Sequence, residues 1–365
     1  MFIRYYSKNN DMELLEKLCS AYGPTAHEWD VQRLVAEECC KIRMVCEGDA
    51  IGNLYASWNN PGPLKIGIIA HADEIGMQVN CITDDGLLRF RKIGGLRATS
   101  LDGHQVKVLT HKGPIDGIVG SDPMNDNGTE KGILMATRDL WIDIGAESRQ
   151  EAESMVRLGD FVVFNATFTR LGEYRIVSKA LDDRLGLYVM LKSLRELKEC
   201  SLSAEVLAIS SVQEEISTRG IKACRKPLDV AIILDVDYAT DIPTAHSETG
   251  LLKLGGGVGI NMNADSNPVL RNMLVEEAAK QGIALQPTVS RNLSGGTDAA
   301  QLGTMGNIAT LNVNLPLRYM HTHSEMCDIR DIEAAVKVVV ALVKRLDKMP
   351  EPVFVPWQHL EEKRS

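Results

Sequence analysis

The sequence predicts an α/β protein in which a small β-rich domain, residues 77–168, is inserted into a larger discontinuous domain, residues 1–76 and 169–365. Three observations lead to this. Apolar runs at 64–70, 206–212 and 230–234 are short and nearly continuous, the pattern of parallel strands buried on both faces. Apolar residues at helical spacing accompany them: Leu187, Met190, Leu191, Leu194 and Leu197, then Ile332, Ala335, Val336, Val339, Val343 and Leu346. From about Met77 to Thr169 the texture changes to short β-type runs separated by turn residues.

The elements follow in chain order. Met12 to Cys40 reads as an amphipathic helix, a turn at Gly23-Pro24 and a second helix. The first ten residues read as a tail, with Met12 the more natural start. Leu64 to Ala70, after Pro61-Gly-Pro63, is a buried strand that ends at His71-Ala-Asp-Glu-Ile-Gly76. Strands are expected at Leu88–Lys92, Gln105–Thr110, Ile115–Val119, Leu140–Ile144 and Phe161–Phe168, with turns at Gly94-Gly95 and Gly113-Pro114. Ser148-Arg-Gln-Glu151 has capping-box form and starts a helix inside the insert. Gly255-Gly-Gly-Val-Gly259 lacks dinucleotide-fingerprint spacing and reads as a turn, and Gly295-Gly-Thr-Asp298 as the start of a helix.

Composition narrows the function. Of 365 residues, 44% are hydrophobic and 24% charged, which suits a globular protein of about two domains. A formal net charge of −9 argues against nucleic acid and anionic membranes as partners. None of the eight cysteines forms a C-x-x-C pair. MFIRYYSKNN is too polar for a signal peptide, and no apolar run is long enough to span a membrane. A cytoplasmic protein with reduced thiols is expected.

The chemistry concentrates at strand ends. Strand 64–70 leads to His71 and Asp73, strand 206–212 to Glu214 and Glu215, and strand 230–234 to Asp235 and Asp237. The crevice of an open α/β sheet lies at those carboxyl ends. Carboxylates are costly there unless a positive group compensates them, and a pair of metal ions would. Of Asp182-Asp183, before the helix through Leu187, one would cap the helix and the other stay free for metal. His321 and His323 follow among turn residues. Zinc and cobalt take imidazole and carboxylate ligands, and a nearby free glutamate can carry the proton of hydrolysis; Glu214 and Glu215 could divide those roles. The sequence has no G-x-S-x-G elbow, Walker A loop or H-E-x-x-H pair.

In this order, His71-Ala-Asp-Glu-Ile-Gly76, Ala180-Leu-Asp-Asp-Arg184, Val212-Gln-Glu-Glu-Ile216, Gly296-Thr-Asp-Ala299 and Arg318-Tyr-Met-His321 resemble the motifs of the M42 metallo-aminopeptidases, which include the tetrahedral (TET) aminopeptidases and FrvX-like proteins. The resemblance runs from about Leu14 to Leu346. It implies a zinc-peptidase-like α/β/α sandwich with an inserted PDZ-like dimerisation domain, assembled as a homo-oligomer from dimer to dodecamer. It implies two divalent metal ions per subunit, zinc or cobalt, held by His71, Asp182, Glu215, Asp235 and His321, with Asp182 bridging. Glu214 would be the general base acting on a metal-bridging water, and Asp73 would orient His71. The substrates implied are short peptides with a free N-terminus, cleaved at the N-terminal residue.

Three segments depart from the family pattern. Ala26 and Ser217-Thr218 stand where the family usually has Gly and Gly-Leu, and Thr322-His323-Ser324 where it has Ser-Pro-Val. His323 is expected to be a solvent-facing loop histidine. The same centre could serve an N-acyl amino acid deacylase. Glycoside hydrolysis by two carboxylates without metal, or a metal-binding assembly protein with decayed catalysis, fits the residues less well.

Overall fold

The computed structural model describes residues 8–122, 136–165, 167–243, 251–289, 294, 296–349 and 353–358, without the side chains of residues 8–11. Its centre is an eight-stranded mixed sheet. The strand order is Val45–Gly48, Leu54–Ser57, Glu205–Ser211, Lys65–His71, Val230–Tyr238, Ala309–Leu317, Val258–Asn261 and Leu285–Thr288. The four middle strands, from Glu205–Ser211 to Ala309–Leu317, run parallel.

Their apolar continuity follows from burial on both faces. Ile66, Ile68, Val206, Ala208, Ile232 and Leu234 enter one core, together with residues of the helices Leu181–Lys198 and Ile329–Asp347. The alternate residues Ile69, Leu207, Ile209, Ala231 and Ile233 enter a second core with Ile221, Ala299 and Leu302. Period-two alternation therefore sends side chains to two apolar layers instead of to one layer and water. This is an α/β/α sandwich.

The strands Gly76–Ile82, Leu88–Ile93, Leu140–Asp143, Gly113–Ser121, Gln105–Thr110 and Phe161–Phe164 close into a barrel in that order. Closure comes from pairing of the first and last, with Met77 opposite Val162. The barrel has its own core, including Met77, Leu88, Val106, Ile142 and Phe164. Its helix Arg149–Met155 is capped by Ser148, whose oxygen accepts from Glu151 N.

The structure corrects several expectations. The first helix spans Lys8–Ser20, so it starts before Met12 and takes in the end of the expected tail; residues 1–7 lie outside the described residues. The strand expected at 161–168 ends at Phe164. Thr169–Leu171 instead opens a separate three-stranded sheet with Arg175–Ser178 and Glu325–Asp328. The strand expected at 230–234 continues to Tyr238 because its parallel neighbour keeps pairing, with Asp235 opposite Asn314 and Tyr238 opposite Leu317. Asp235 and Asp237 thus lie within a strand and not after it. Gly255 to Gly259 is only partly a turn, since strand Val258–Asn261 begins inside it.

Candidate metal centre

The parallel strands deliver their ends to one place. Ser211 lies opposite His71 in the register, so the segment 213–215 and His71 leave the sheet side by side. His71, Asp182 and Asp235 form one group of ligand atoms within 4.8 Å of one another; Asp182, Glu215 and His321 form a second. Asp182 belongs to both. Its Oδ1 lies 3.1 Å from His71 Nε2 and its Oδ2 3.3 Å from His321 Nε2. His321 Nε2 lies 3.6 Å from Glu215 Oε2.

Asp73 supports both sides of the centre. It is fully buried, and its Oδ1 lies 3.4 Å from His71 Nδ1. The same oxygen accepts Glu214 N at 2.9 Å. Oδ2 accepts Glu215 N at 3.1 Å and Thr25 Oγ1 at 2.7 Å. Asp73 therefore holds His71, whose Nδ1 also lies 3.1 Å from the Asp73 backbone O, and through its carboxylate the backbone of both glutamates. Asp183 is the capping member of its pair: Oδ1 accepts Gly186 N at 2.9 Å, while Asp182 faces the centre. Glu214 is half-buried beside these groups and belongs to neither.

The charges show what the site needs. Burial pushes the Glu214 and Glu215 carboxyls well above the usual range, with His71 opposing the shift and neighbouring acids adding to it. Burial likewise pushes Asp235 up to about 8. Burial also opposes ionisation of Asp182, but the His321 and His71 imidazoles outweigh it and hold that carboxyl low. For His71, burial opposes the charged form, and Asp182 and Asp73 overcome it. Glu215 Oε1 is buried without a hydrogen-bond partner among the described residues. The group thus holds more buried carboxylate than two imidazoles neutralise, and an oxygen with an open coordination demand. Divalent cations satisfy both, and the imidazole–carboxylate donor set suits zinc or cobalt.

All seven residues singled out by sequence (His71, Asp73, Asp182, Glu214, Glu215, Asp235 and His321) come together. Asp237 does not join either group; its carboxylate accepts Tyr238 N at 2.8 Å. His323 is not solvent-facing: it is half-buried against His104 of the barrel, with ring centroids 3.6 Å apart. Phe164 of the barrel lies beside it as well, with ring centroids 6.0 Å apart. Ala26, at φ 72°, and Ser217, at φ 80°, occupy left-handed backbone that glycine adopts without strain, which explains the family's usual glycines there.

Sequence reasoning gives no role to Thr25, and reads Asp298 only as a motif residue at a helix start and glycines 94 and 95 only as a turn. Asp298 is buried at the start of the helix Asp298–Met305 and accepts Ser211 Oγ at 2.6 Å; its charge raises both Glu214 and Asp235. A Cβ on Gly94 would stand 2.8 Å from Glu215 Oε2, and one on Gly95 would overlap the His321 ring. The Gly-Gly signal was visible as a turn, but its role as a close approach to the centre was not.

A parallel-centred α/β sheet whose strand ends gather this donor set fits a metal-dependent hydrolase. The chain belongs to the M42 glutamyl aminopeptidase family, whose family model matches residues 52–338. It is therefore an enzyme of the aminopeptidase class. It is 34% identical over 349 residues to the lysyl aminopeptidase of Pyrococcus furiosus, covering 93% of this chain and 98% of that protein. A solved TET aminopeptidase from the marine sediment archaeon Thaumarchaeota archaeon SCGC AB-539-E09 superposes with a TM-score of 0.87 at 31% identity, covering 93% and 97% of the two chains. The Pyrococcus horikoshii TET1 peptidase, described as assembling into a tetrahedron or a large octahedral shell, gives 0.82 at 32% identity, covering 91% and 99%. No helix among the described residues is long and apolar enough to cross a membrane.

Proposed function

We propose that this protein is a dinuclear metallo-aminopeptidase that removes N-terminal residues from short peptides. The single observation that carries the reading is the pair of three-residue donor groups sharing Asp182. His71, Asp182 and Asp235 would hold one ion, and Asp182, Glu215 and His321 the other. Such ions, when bound, supply Lewis-acid polarisation of the scissile carbonyl and an acidified water.

The chain's own residues do the rest. Glu214 stands beside both groups without belonging to either, so its carboxylate is free to accept the proton of the attacking water and return it to the leaving amine. Burial and neighbouring acids raise its pKa, which helps a base that must also return the proton it takes. Asp73 orients His71 through Nδ1 and holds the 214–215 backbone, so base and ligand stay in fixed relation.

The barrel of residues 77–168 would serve as the dimerisation domain of a homo-oligomer between dimer and dodecamer. The supporting fact is the shell assembly described for the Pyrococcus horikoshii relative.

The test is amino-acid release from unblocked and N-acetylated forms of the same short peptides, before and after chelation. Release from unblocked peptides alone, lost on chelation and restored by zinc or cobalt, is the expected result. Faster turnover of the N-acetylated forms would replace this reading with a deacylase, and activity untouched by complete metal removal would overturn it.

A further inference from the structure

We infer that Glu325 is the positioning residue that sets the spacing between the two cation subsites; the inference rests on the metal centre proposed above. Glu325 is 1% exposed and belongs to neither donor group; it bonds to the backbone of both. Its Oε2 accepts Asp182 N at 3.0 Å, and its Oε1 accepts His321 N at 2.9 Å. One carboxylate thus ties together the donor shared by both groups and the histidine found in the second group alone. Two loops far apart in the sequence are joined through a single planar group whose oxygens are a fixed distance from each other.

The topology explains why this residue can do so. Glu325 opens the strand Glu325–Asp328, which pairs antiparallel with Arg175–Ser178, and Ser178 lies opposite Glu325. Asp182 follows Ser178 after a short connection, and His321 precedes Glu325 by four residues. The loop carrying His321 is closed at its base by reciprocal hydrogen bonds between Arg318 and Met326, at 2.9 and 3.0 Å. Within it Tyr319 and His321 both hold φ 62°, a left-handed conformation that non-glycine residues adopt only at an energetic cost. A loop with two such residues needs an internal anchor, and the N–H of His321 finds it in Glu325. The small three-stranded sheet, outside the main sheet, therefore acts as a common base for the two loops that carry Asp182 and His321.

Its chemistry predicts an asymmetric effect. Asp235 and His71 are carried by the main sheet and do not depend on Glu325. Loss of the clamp frees His321, found in the second group alone, and loosens the shared Asp182, so the subsite of Asp182, Glu215 and His321 weakens most, while that of His71, Asp182 and Asp235 keeps two donors on the main sheet and weakens less. Glu325→Gln keeps the shape but turns one acceptor into an NH2 that opposes an N–H. Glu325→Asp keeps both oxygens but draws them back by one methylene.

The test is a cobalt titration of the chelator-stripped full-length enzyme, followed by visible absorption, alongside kcat and KM on an unblocked peptide. Wild type is expected to bind two cobalt ions. E325Q is expected to bind the first within a few-fold of wild type and the second roughly 10- to 100-fold more weakly, the usual cost of removing a residue that supports a ligand. Its kcat should fall at low cobalt and recover as cobalt is raised, a rescue that general loss of folding would not give. Two ions bound by E325Q with wild-type affinities would overturn the role of Glu325. A wild type that binds fewer than two would instead overturn the metal centre. Should E325Q not fold, E325D is read in the same titration, where wild-type affinity for the second ion overturns the inference.

Discussion

Gly95→Ala should disable one half of the centre without disturbing the fold. Gly95 lies in the turn after the barrel strand Leu88–Ile93, where the barrel meets the main domain. Its own φ is outside the left-handed region, so alanine fits the backbone and only the new methyl matters. That methyl would overlap His321 Nδ1 and lie 3.1 Å from His321 Cγ. Carbon contacts settle at about 3.5–4.0 Å, so the ring must retreat by roughly 1 Å or more. Nε2 starts 3.3 Å from Asp182 Oδ2 and 3.6 Å from Glu215 Oε2. Metal sites tolerate ligand displacements of only about 0.2 Å, and a misplacement of about 1 Å can cost on the order of 100-fold in rate. Cobalt stoichiometry should drop from two to one at moderate concentrations, with kcat lower by about 100-fold. Gly103→Ala is the control: Gly103, at φ 76°, has nothing within 4 Å of a new Cβ, so it tests backbone strain in the same barrel without the clash. Two ions bound as in wild type, or wild-type turnover, in Gly95→Ala would refute the placement of His321 in the working centre.

Glu214→Gln should lower kcat by roughly 100- to 10,000-fold while cobalt still binds with a stoichiometry of two, because Glu214 belongs to neither donor group; turnover within a few-fold of wild type would exclude it as the base. Ala26→Gly and Ser217→Gly relieve left-handed strain of about 1–2 kcal/mol, partly offset by glycine's entropy of about 0.4–1 kcal/mol. Each should raise the urea midpoint slightly, and a lowered midpoint would count against the strain. Asp331 accepts Gly255 N and Gly257 N, and burial pushes its carboxyl up to about 6. A raised folded-state pKa favours the folded form most below the unfolded value, and that advantage is lost as pH climbs from about 4 to about 6. Urea unfolding of chelator-treated Asp331→Asn should therefore gain on wild type by up to about 3 kcal/mol between pH 4 and pH 7, and a pH-independent difference between the two would show that Asp331 is not perturbed.

The parts of the fold that were legible obey simple periodicities. Ile66 to Ala70 and Val206 to Ser211 are continuous apolar or small-residue runs because both faces are buried, and such runs stand out. Ala309–Leu317 is equally buried but carries Asn312 and Asn314, which break the run; Asn312 is instead satisfied within a network with Thr297 and Ser266. The helix Pro268–Lys280 has readable start signals, since Asn267 caps it and Pro268 occupies its first turn, yet its apolar spacing is diffuse. Closure of the barrel could not be read at all. It depends on Met77 meeting Val162, a pairing that no local pattern encodes.

The candidate centre divides along the same physical line. Its donors were legible because acids and a histidine at the ends of apolar strands are expensive to bury, so each one needs a reason. Their supports were legible only in part. Asp73 sits two residues from His71 and comes with the motif, but its bonds to Glu214, Glu215 and Thr25 cross the fold. Glu325 looks like an ordinary acid at the end of a polar loop, and its partners Asp182 and His321 are backbone N–H groups, which leave no mark on side-chain identity. Gly95 is similar: its use is the absence of a methyl beside His321. Side chains that bind ions are selected for their own chemistry and show it, whereas groups that hold those side chains in place act through geometry. For this chain the departures from the family pattern fall in the second class. Ser217 and His323 alter the backbone and packing around Glu214 and His321 and leave every donor intact. They should therefore change rate and substrate preference more than cobalt stoichiometry, so a Ser217→Gly, His323→Pro double variant that still binds two ions but shifts its preferred N-terminal residue is the expected result, and loss of an ion in that variant would show that these positions belong to the binding machinery itself.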